Sequence, residues 1–91
     1  MYRIVFNNTS SLEESFPEYF EDIFEMSMEH LECRDEDEAY CDIVEGWFTL
    51  PRVKELCDKL LRKCHPSNLV IKIYKGKLVI DPKPVYELLA I

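Results

Sequence analysis

The stretch from Phe16 to Glu38, FPEYFEDIFEMSMEHLECRDEDE, combines a helical repeat of apolar residues with a dense run of acids. At about 100° per residue, one helical face collects the apolar positions, and an opposite arc of about 80° collects only carboxylates. The first face holds Phe16, Phe20, Ile23, Phe24, Ser27 and Leu31, and the anionic face holds Glu18, Asp22, Glu25, Glu29, Glu32 and Glu36. Such a helix has to pack against a core on one side and meet solvent on the other. We therefore predict a long amphipathic helix that begins near Ser15 and runs into an acidic loop ending at Glu38.

Strands are predicted on both sides of this helix. Tyr2–Phe6 (YRIVF) is rich in β-branched and aromatic residues and is followed by two Asn, a pattern typical of a strand. Asn68–Tyr74 and Lys77–Asp81 alternate polar and apolar residues around Lys75-Gly76, which predicts a hairpin. These segments supply three strands.

A second strong helix signal follows residue 48. Thr49 is a favourable N-cap, Pro51 suits a first helical turn, and Pro66 ends the pattern. Between them lies an apolar stripe made of Val53, Leu56, Cys57, Leu60, Leu61 and Cys64. Lys and Arg gather near the end of the stripe, where the helix dipole favours cations. We predict a helix with one buried side.

Residues 33–48 leave two predictions open. Asp35 and Glu38 fit a helix-capping pattern, which favours a further helix. The apolar residues at helical spacing behind this cap are Tyr40, Ile43, Val44, Trp47 and Phe48. The rival prediction is a strand through Ala39–Val44. The tail Val85–Ile91 is apolar and predicts a last helical turn.

With a helix taken for residues 35–48, the predicted order is β-α-α-α-β-β. We expect one α+β domain spanning residues 1–91, with the helices packed on one face of a three-stranded, mainly antiparallel sheet. No apolar run approaches the roughly 20 residues that span a bilayer, and the first residues turn polar too soon for a signal peptide. We therefore expect a cytoplasmic protein.

Charge divides the chain into two unlike halves. The net charge is −7. Residues 1–46 hold fourteen acids against two bases, a net of −12, and residues 47–91 hold four acids against nine bases, a net of +5. The anionic half should repel nucleic acid and lipid headgroups and attract basic protein surfaces. The expected partner is therefore a basic protein, with no direct nucleic acid and no membrane.

The acidic face differs from an ordinary solvated helix face. Like-charged pairs recur at i, i+4 along residues 18–36, with no Lys or Arg between Ser15 and Cys33. Each such pair costs about 0.2–0.5 kcal/mol, and a cationic partner would relieve this repulsion. We interpret the stretch as a binding surface, and a plain solvated face is the alternative. The candidate partner-binding residues are Glu18, Asp22, Glu25, Glu29, Glu32, Asp35, Glu36, Asp37 and Glu38.

The spacing of these carboxylates can be compared with the spacing of phosphates in a nucleic acid that they would imitate. Acids one helical turn apart are separated by about 5 Å, whereas a DNA strand offers one charge per roughly 3.4 Å. One stripe is too sparse, but Glu38, Asp42 and Glu45 could add a second row. In size and charge pattern, the chain resembles the small acidic inhibitors that phages direct against restriction and CRISPR nucleases. The resemblance implies a phage-encoded anti-defence inhibitor that occupies the nucleic-acid-binding surface of a nuclease in the host cytoplasm.

A zinc site is a further alternative because the chain contains four Cys and two His. No C-x-x-C pair occurs, and the spacings match no common structural zinc site. Cys57 and Cys64 fall on the apolar stripe of the helix after Thr49, which favours buried thiols. Cys33 and Cys41 could pair in an oxidising setting, but reduced thiols are expected without a secretory signal. We predict neither a metal site nor a cofactor.

Catalysis has little support in the sequence, which has no Gly-rich phosphate loop and no Ser, His and Asp set in a recognisable context. We expect a non-enzymatic protein. The remaining alternative is an oligomeric interaction module that uses Trp47, Phe48 and the apolar tail Val85–Ile91 as anchors, with a homodimer as one form.

Overall fold

Strand β1 (Tyr2–Asn7) lies at the centre of a five-stranded antiparallel sheet. The structure is a computed structural model. It describes residues 2–9, 16–35, 37–43, 46, 48–64, 68–75 and 83–89. The other elements are α1 (Phe16–Phe24), a 3-10 turn (Met28–His30), β2 (Glu32–Cys33), β3 (Glu38–Ile43), α2 (Leu50–Lys63), β4 (Val70–Lys75) and β5 (Tyr86–Leu89).

The strands are ordered β2-β3-β1-β4-β5. Because β3 and β4 both run antiparallel to β1, they are parallel to each other, and α2 connects them across β1. By the same reasoning, β1 and β2 are parallel, with β3 between them. These are two interlocked split β-α-β units, the connectivity called ferredoxin-like, with β5 added beside β4. Many unrelated functions use this connectivity, so it indicates none by itself.

One face of the sheet carries the core. In β1, Tyr2, Ile4 and Phe6 are buried and belong to one cluster with both helices. Because successive side chains of a strand point to opposite faces, Arg3, Val5 and Asn7 lie on the other face of the sheet. The helices contribute Phe16, Phe20 and Phe24 from α1, and Val53, Leu56, Cys57, Leu60 and Leu61 from α2. Both helices therefore pack on one face, as predicted, and the other is called the open face here.

The predicted long acidic helix is wrong beyond Phe24. Phe16, Phe20 and Phe24 complete the buried stripe of α1, and Ser27, one turn later, is exposed. A longer helix would add carboxylates at its C-terminal end, where the dipole disfavours them, and would bury little in return. Glu25 instead adopts a left-handed backbone conformation with φ 54°, and its N–H donates to Glu21 O at 2.9 Å. The chain then turns through the 3-10 segment into β2.

The predicted helix over residues 35–48 and the helical tail are also wrong. Residues 38–43 form β3, so the rival strand prediction is confirmed for Ala39–Ile43, because Ala39, Cys41 and Ile43 alternate as buried residues. In the tail, Tyr86 and Leu88 pack against the core as part of β5. The described residues contain two α-helices and five strands, in place of three helices and three strands.

Several local predictions are confirmed. Tyr2–Phe6 is a strand, and α2 follows Thr49. Asn68–Tyr74 overlaps β4, which ends at Lys75. Gly76 of the predicted Lys75-Gly76 turn and the predicted strand 77–81 lie outside the described residues, as do the predicted helix start at Ser15, Pro66 and the positions 44–45, 47 and 65.

The N-cap of α2 supports a test of local stability. Thr49 Oγ1 accepts a hydrogen bond from Arg52 N at 3.3 Å. Thr49→Ala removes this acceptor and should lower the free energy of unfolding by about 1 kcal/mol, measured by urea denaturation. Thr49→Ser retains the hydroxyl and is the matched control. Equal stability of the alanine and serine variants would contradict a capping role.

Candidate functional site

The acids of residues 16–38, called the acidic segment here, are carried by three different parts of the fold. Glu18 and Asp22 are exposed on α1. Glu25 follows the helix, and Glu29 belongs to the 3-10 turn; both are exposed. Of the other described acids, Glu21 is also on α1, and Glu32, Asp35, Asp37 and Glu38 lie on the β2–β3 hairpin. The single helical stripe expected from the sequence is therefore divided between a helix and a hairpin at one edge of the sheet.

The hairpin presents its acids around a short, ordered turn. Glu32 is exposed on β2, and Asp35 and Asp37 are exposed between the strands. Arg34 N donates to Glu38 O at 2.9 Å, and Asp37 N donates to Asp35 Oδ1 at 2.7 Å. The hydrogen bond to the Asp35 side chain stabilises the turn. Glu36, the remaining candidate of this loop, lies outside the described residues.

Arg34 is the one Lys or Arg of the acidic segment. Its guanidinium lies 4.6 Å from the centre of the Tyr40 ring and 3.8 Å from Glu38 Oε1. This cation is therefore directed to the open face, where Glu38 already engages it. Six acids of the segment form no ion pair with any described residue: Glu18, Asp22, Glu25, Glu29, Glu32 and Asp35.

The strand order turns the charge asymmetry of the sequence into an asymmetry in space. The acidic half of the chain supplies β2 and β3 on one side of the sheet. The basic half supplies β4 and β5 on the other side, together with α2. The protein is therefore bipolar, with its anionic pole at the β2 edge.

On the open face, charged groups from different strands neutralise one another. Arg3 donates from Nε to Asp42 Oδ1 at 2.8 Å and from Nη2 to Asp42 Oδ2 at 3.0 Å, and it lies 4.5 Å from the centre of the Tyr40 ring. The hydrogen bond to Asp42 raises the pKa of Arg3. Sequence reasoning missed this arrangement because it depends on the β1–β3 register, which places Arg3 opposite Asp42.

A shallow depression of about 260 Å³ lies on this face, lined by Arg3, Val5, Asn7, Arg34, Glu38, Lys72 and Tyr74. Both arginines already contact carboxylates there. A bound anion would have to compete with those carboxylates. The acids Glu38 and Asp42, considered for a second anionic row, are thus committed to partners within the fold.

The four cysteines form no disulfide and lie in three environments. Cys33 is exposed, Cys64 is half-buried, and Cys41 and Cys57 are buried in the core. Burial raises the pKa of Cys41 to about 12 and also raises the pKa of Cys57. Within the described residues, which exclude His65, no three His, Cys, Asp or Glu side chains form a group that could hold a metal ion. The zinc alternative therefore has no support from the described part of the chain.

The apolar residues proposed as anchors divide into two groups. Phe48 and Leu88 are partly buried against the core. Val85 and Leu89 are exposed, by 45% and 54%. Trp47 lies outside the described residues. Among the described residues of the tail, the exposed large apolar side chains are thus two, both at the β5 edge.

Comparison with protein-family models, curated proteins and solved structures finds no match for this chain. No helix in the described part of the chain is long and apolar enough to cross a membrane.

Proposed function

We propose that this chain is a non-enzymatic binding protein whose acidic segment covers a basic, nucleic-acid-binding surface of another protein. One observation carries the proposal: six exposed acids of the segment form no ion pair with a described residue, and its one Arg is directed to the open face. Intramolecular pairing elsewhere shows that the chain can neutralise its charges, as Arg3 and Asp42 do. The acidic segment keeps its charge available for a cationic partner.

The geometry supports a broad contact. Acids on α1 and acids on the β2–β3 hairpin belong to separate elements, so they can reach two rows of cations that a single helix could not span. Glu38 and Asp42 are engaged by arginines, which leaves Glu32 and Asp35 as the hairpin contribution to this second row. Opposite charges brought together in this way steer association and raise its rate more than they raise affinity.

The concrete form of the proposal is a phage-encoded inhibitor of a bacterial defence nuclease of the CRISPR or restriction type. The inhibitor would act in the host cytoplasm, whose reducing conditions suit four cysteines that form no disulfide. Its carboxylates would take the place of nucleic-acid phosphates on the nuclease, so the inhibitor and the nucleic acid would compete for one surface.

A pair of variants with matched charge tests the proposal. The first variant combines Glu18→Gln, Asp22→Asn and Glu32→Gln in the acidic segment. The control combines Glu55→Gln, Asp58→Asn and Glu87→Gln in the basic half. Both lose three negative charges and have the same types of substitution. Immobilised wild type and the control should recover a basic nuclease from a lysate of bacteria with CRISPR or restriction systems, and the first variant should bind it about tenfold more weakly.

A competition assay with the captured protein then tests the mechanism. The wild type should displace a DNA or RNA fragment from it, and the first variant should do so poorly. Equal weakening by both variants would show that only the total charge matters, and this outcome would contradict a role for the acidic segment.

A further inference from the structure

The two outer strands of the sheet differ in how they are protected against pairing. At one edge, β2 has two residues, and the chain from residue 32 to 38 contains five acids against one Arg. Short length and charge are common protections of an edge strand. At the other edge, β5 has four residues and a single charged side chain, Glu87. Within the described ranges, such protection is therefore found at the β2 edge and not at the β5 edge.

The outer edge of β5 offers ordered backbone groups. Val85 N donates to Ile73 O at 2.7 Å, so the backbone groups of Ile73 point towards β5. Tyr86 lies opposite Ile73 in the register. Because backbone groups alternate along an antiparallel strand, those of Glu87 and Leu89 point away from β4. No strand pairs with this side of β5 among the described residues.

The exposed apolar residues lie at the same edge. Val85 and Leu89 are the two exposed large hydrophobic residues in the described part of the chain. From residue 83 to 89, Lys83 and Glu87 cancel in charge. Two β5 edges can therefore approach without net repulsion, whereas two β2 edges would bring like charges together.

We propose that β5 pairs with β5 of a second copy of this chain, in antiparallel orientation about a two-fold axis. Outward backbone groups at Glu87 and Leu89 allow registers centred on residue 87, 88 or 89. A register centred on Glu87 places the two Glu87 carboxylates opposite each other, which is unfavourable. A register centred on Leu89 pairs Leu89 with Leu89 of the partner and brings no other pair of described residues together. A register centred on Leu88 pairs Glu87 with Leu89 of the partner twice. The two sheets then form one continuous ten-stranded sheet with both helix layers on the same side.

The groove between α2 and β5 is compatible with this arrangement. Its volume is about 390 Å³, and Lys54, Lys59 and Arg62 lie there with Glu55 and Asp58. A surface with both signs of charge can be self-complementary about a two-fold axis. Four residues span only about 14 Å of edge, and edge pairing alone buries less than the roughly 1,200 Å² of a standard interface. The dimer is therefore weak and depends on concentration.

Sedimentation velocity over about two decades of protein concentration tests this dimer. The wild type should shift from monomer to dimer as concentration rises, and Leu89→Glu should stay monomeric because in this register it places a second carboxylate opposite Glu87 of the partner at both paired positions. Leu89 is exposed, so the substitution leaves the core intact. Pro17→Glu adds the same charge at an exposed site on α1 and is the control, which should dimerise like the wild type.

Amide hydrogen exchange reports the register. At high concentration, the amides of Glu87 and Leu89 should gain protection, whereas the amide of Leu88, which points towards β4, should be protected at every concentration. A wild type that stays monomeric throughout, or a Leu89→Glu variant that associates equally well, would overturn the proposal. Dimerisation without new protection at Glu87 and Leu89 would overturn the edge pairing.

Discussion

Truncation of Phe20 to alanine is expected to lower the free energy of unfolding by about 3–5 kcal/mol. Phe20 is fully buried, and its ring stacks on Phe24 with centroids 5.0 Å apart. The same ring meets Phe6 of β1 edge-to-face at 6.1 Å and lies 6.3 Å from Phe16. The substitution removes the central ring of this cluster and leaves a cavity between α1 and the sheet.

Urea denaturation of three proteins measures this effect. Phe20→Leu keeps most of the buried volume and should cost less than Phe20→Ala. Tyr19→Ala truncates a partly buried aromatic residue next to it on α1 and should also cost less. If Phe20→Ala unfolds within about 1 kcal/mol of the wild type, the docking of α1 on β1 described here is wrong.

Alkaline pH is expected to destabilise the protein through its two buried thiols. Burial raises the pKa of Cys41 from its ordinary value of 9.0 to about 12, and the charge of Asp42 adds to the effect. Burial raises the pKa of Cys57 in the same direction, with smaller effects from Cys41 and Asp58. Below pH 9 both the folded and unfolded states keep these protons, so the thiols cause no change in stability with pH.

Above pH 9 the unfolded chain releases the thiol protons and the folded protein keeps them. The free energy of unfolding should then fall by up to about 1.4 kcal/mol per pH unit for each thiol, and the loss for Cys41 should be complete near pH 12. Urea denaturation at about pH 8 and about pH 10 measures the change. The double variant with Cys41→Ala and Cys57→Ala is the control. Its free energy of unfolding should fall less than that of the wild type between these two pH values, by up to about 2.8 kcal/mol. An equal loss of unfolding free energy in the wild type and the double variant would contradict the conclusion that the two buried thiols cause it.

Elements with local signals were predicted correctly from the sequence. For α2, the cap at Thr49, the proline in the first turn and the apolar stripe all lie within the helix or next to it. The composition of β1 similarly identifies it as a strand. In both cases the residues that determine the conformation are close in sequence, so the pattern needs no knowledge of distant partners.

The errors arose where distant partners decide the conformation. Ile43 suits both a helical and an alternating pattern, and the strand form prevails because β3 pairs with β1 along its whole length. Likewise, β5 forms by pairing with β4. The end of α1 had no sequence signal, because a glutamate, not a glycine or asparagine, adopts the left-handed conformation there.

The binding role of the acidic segment stays a prediction. The described acids from Glu18 to Asp37 are exposed, as expected for the anionic face. Their division between α1 and the hairpin follows from the β2–β3 pairing, which no local periodicity encodes. The engagement of Asp42 by Arg3 joins residues 39 positions apart and was equally inaccessible to a pattern analysis.

The central claim is that the acidic segment binds a cationic surface, and the salt dependence of this binding tests it most directly. The measurement is the affinity of the captured target for the wild type, for the acidic-segment variant and for the charge-matched control, each at low and high salt. The wild type and the control should weaken on the order of tenfold or more as salt screens their charges, and the variant should be weaker at low salt and less sensitive. An affinity that is independent of salt and equal for all three proteins would contradict the account.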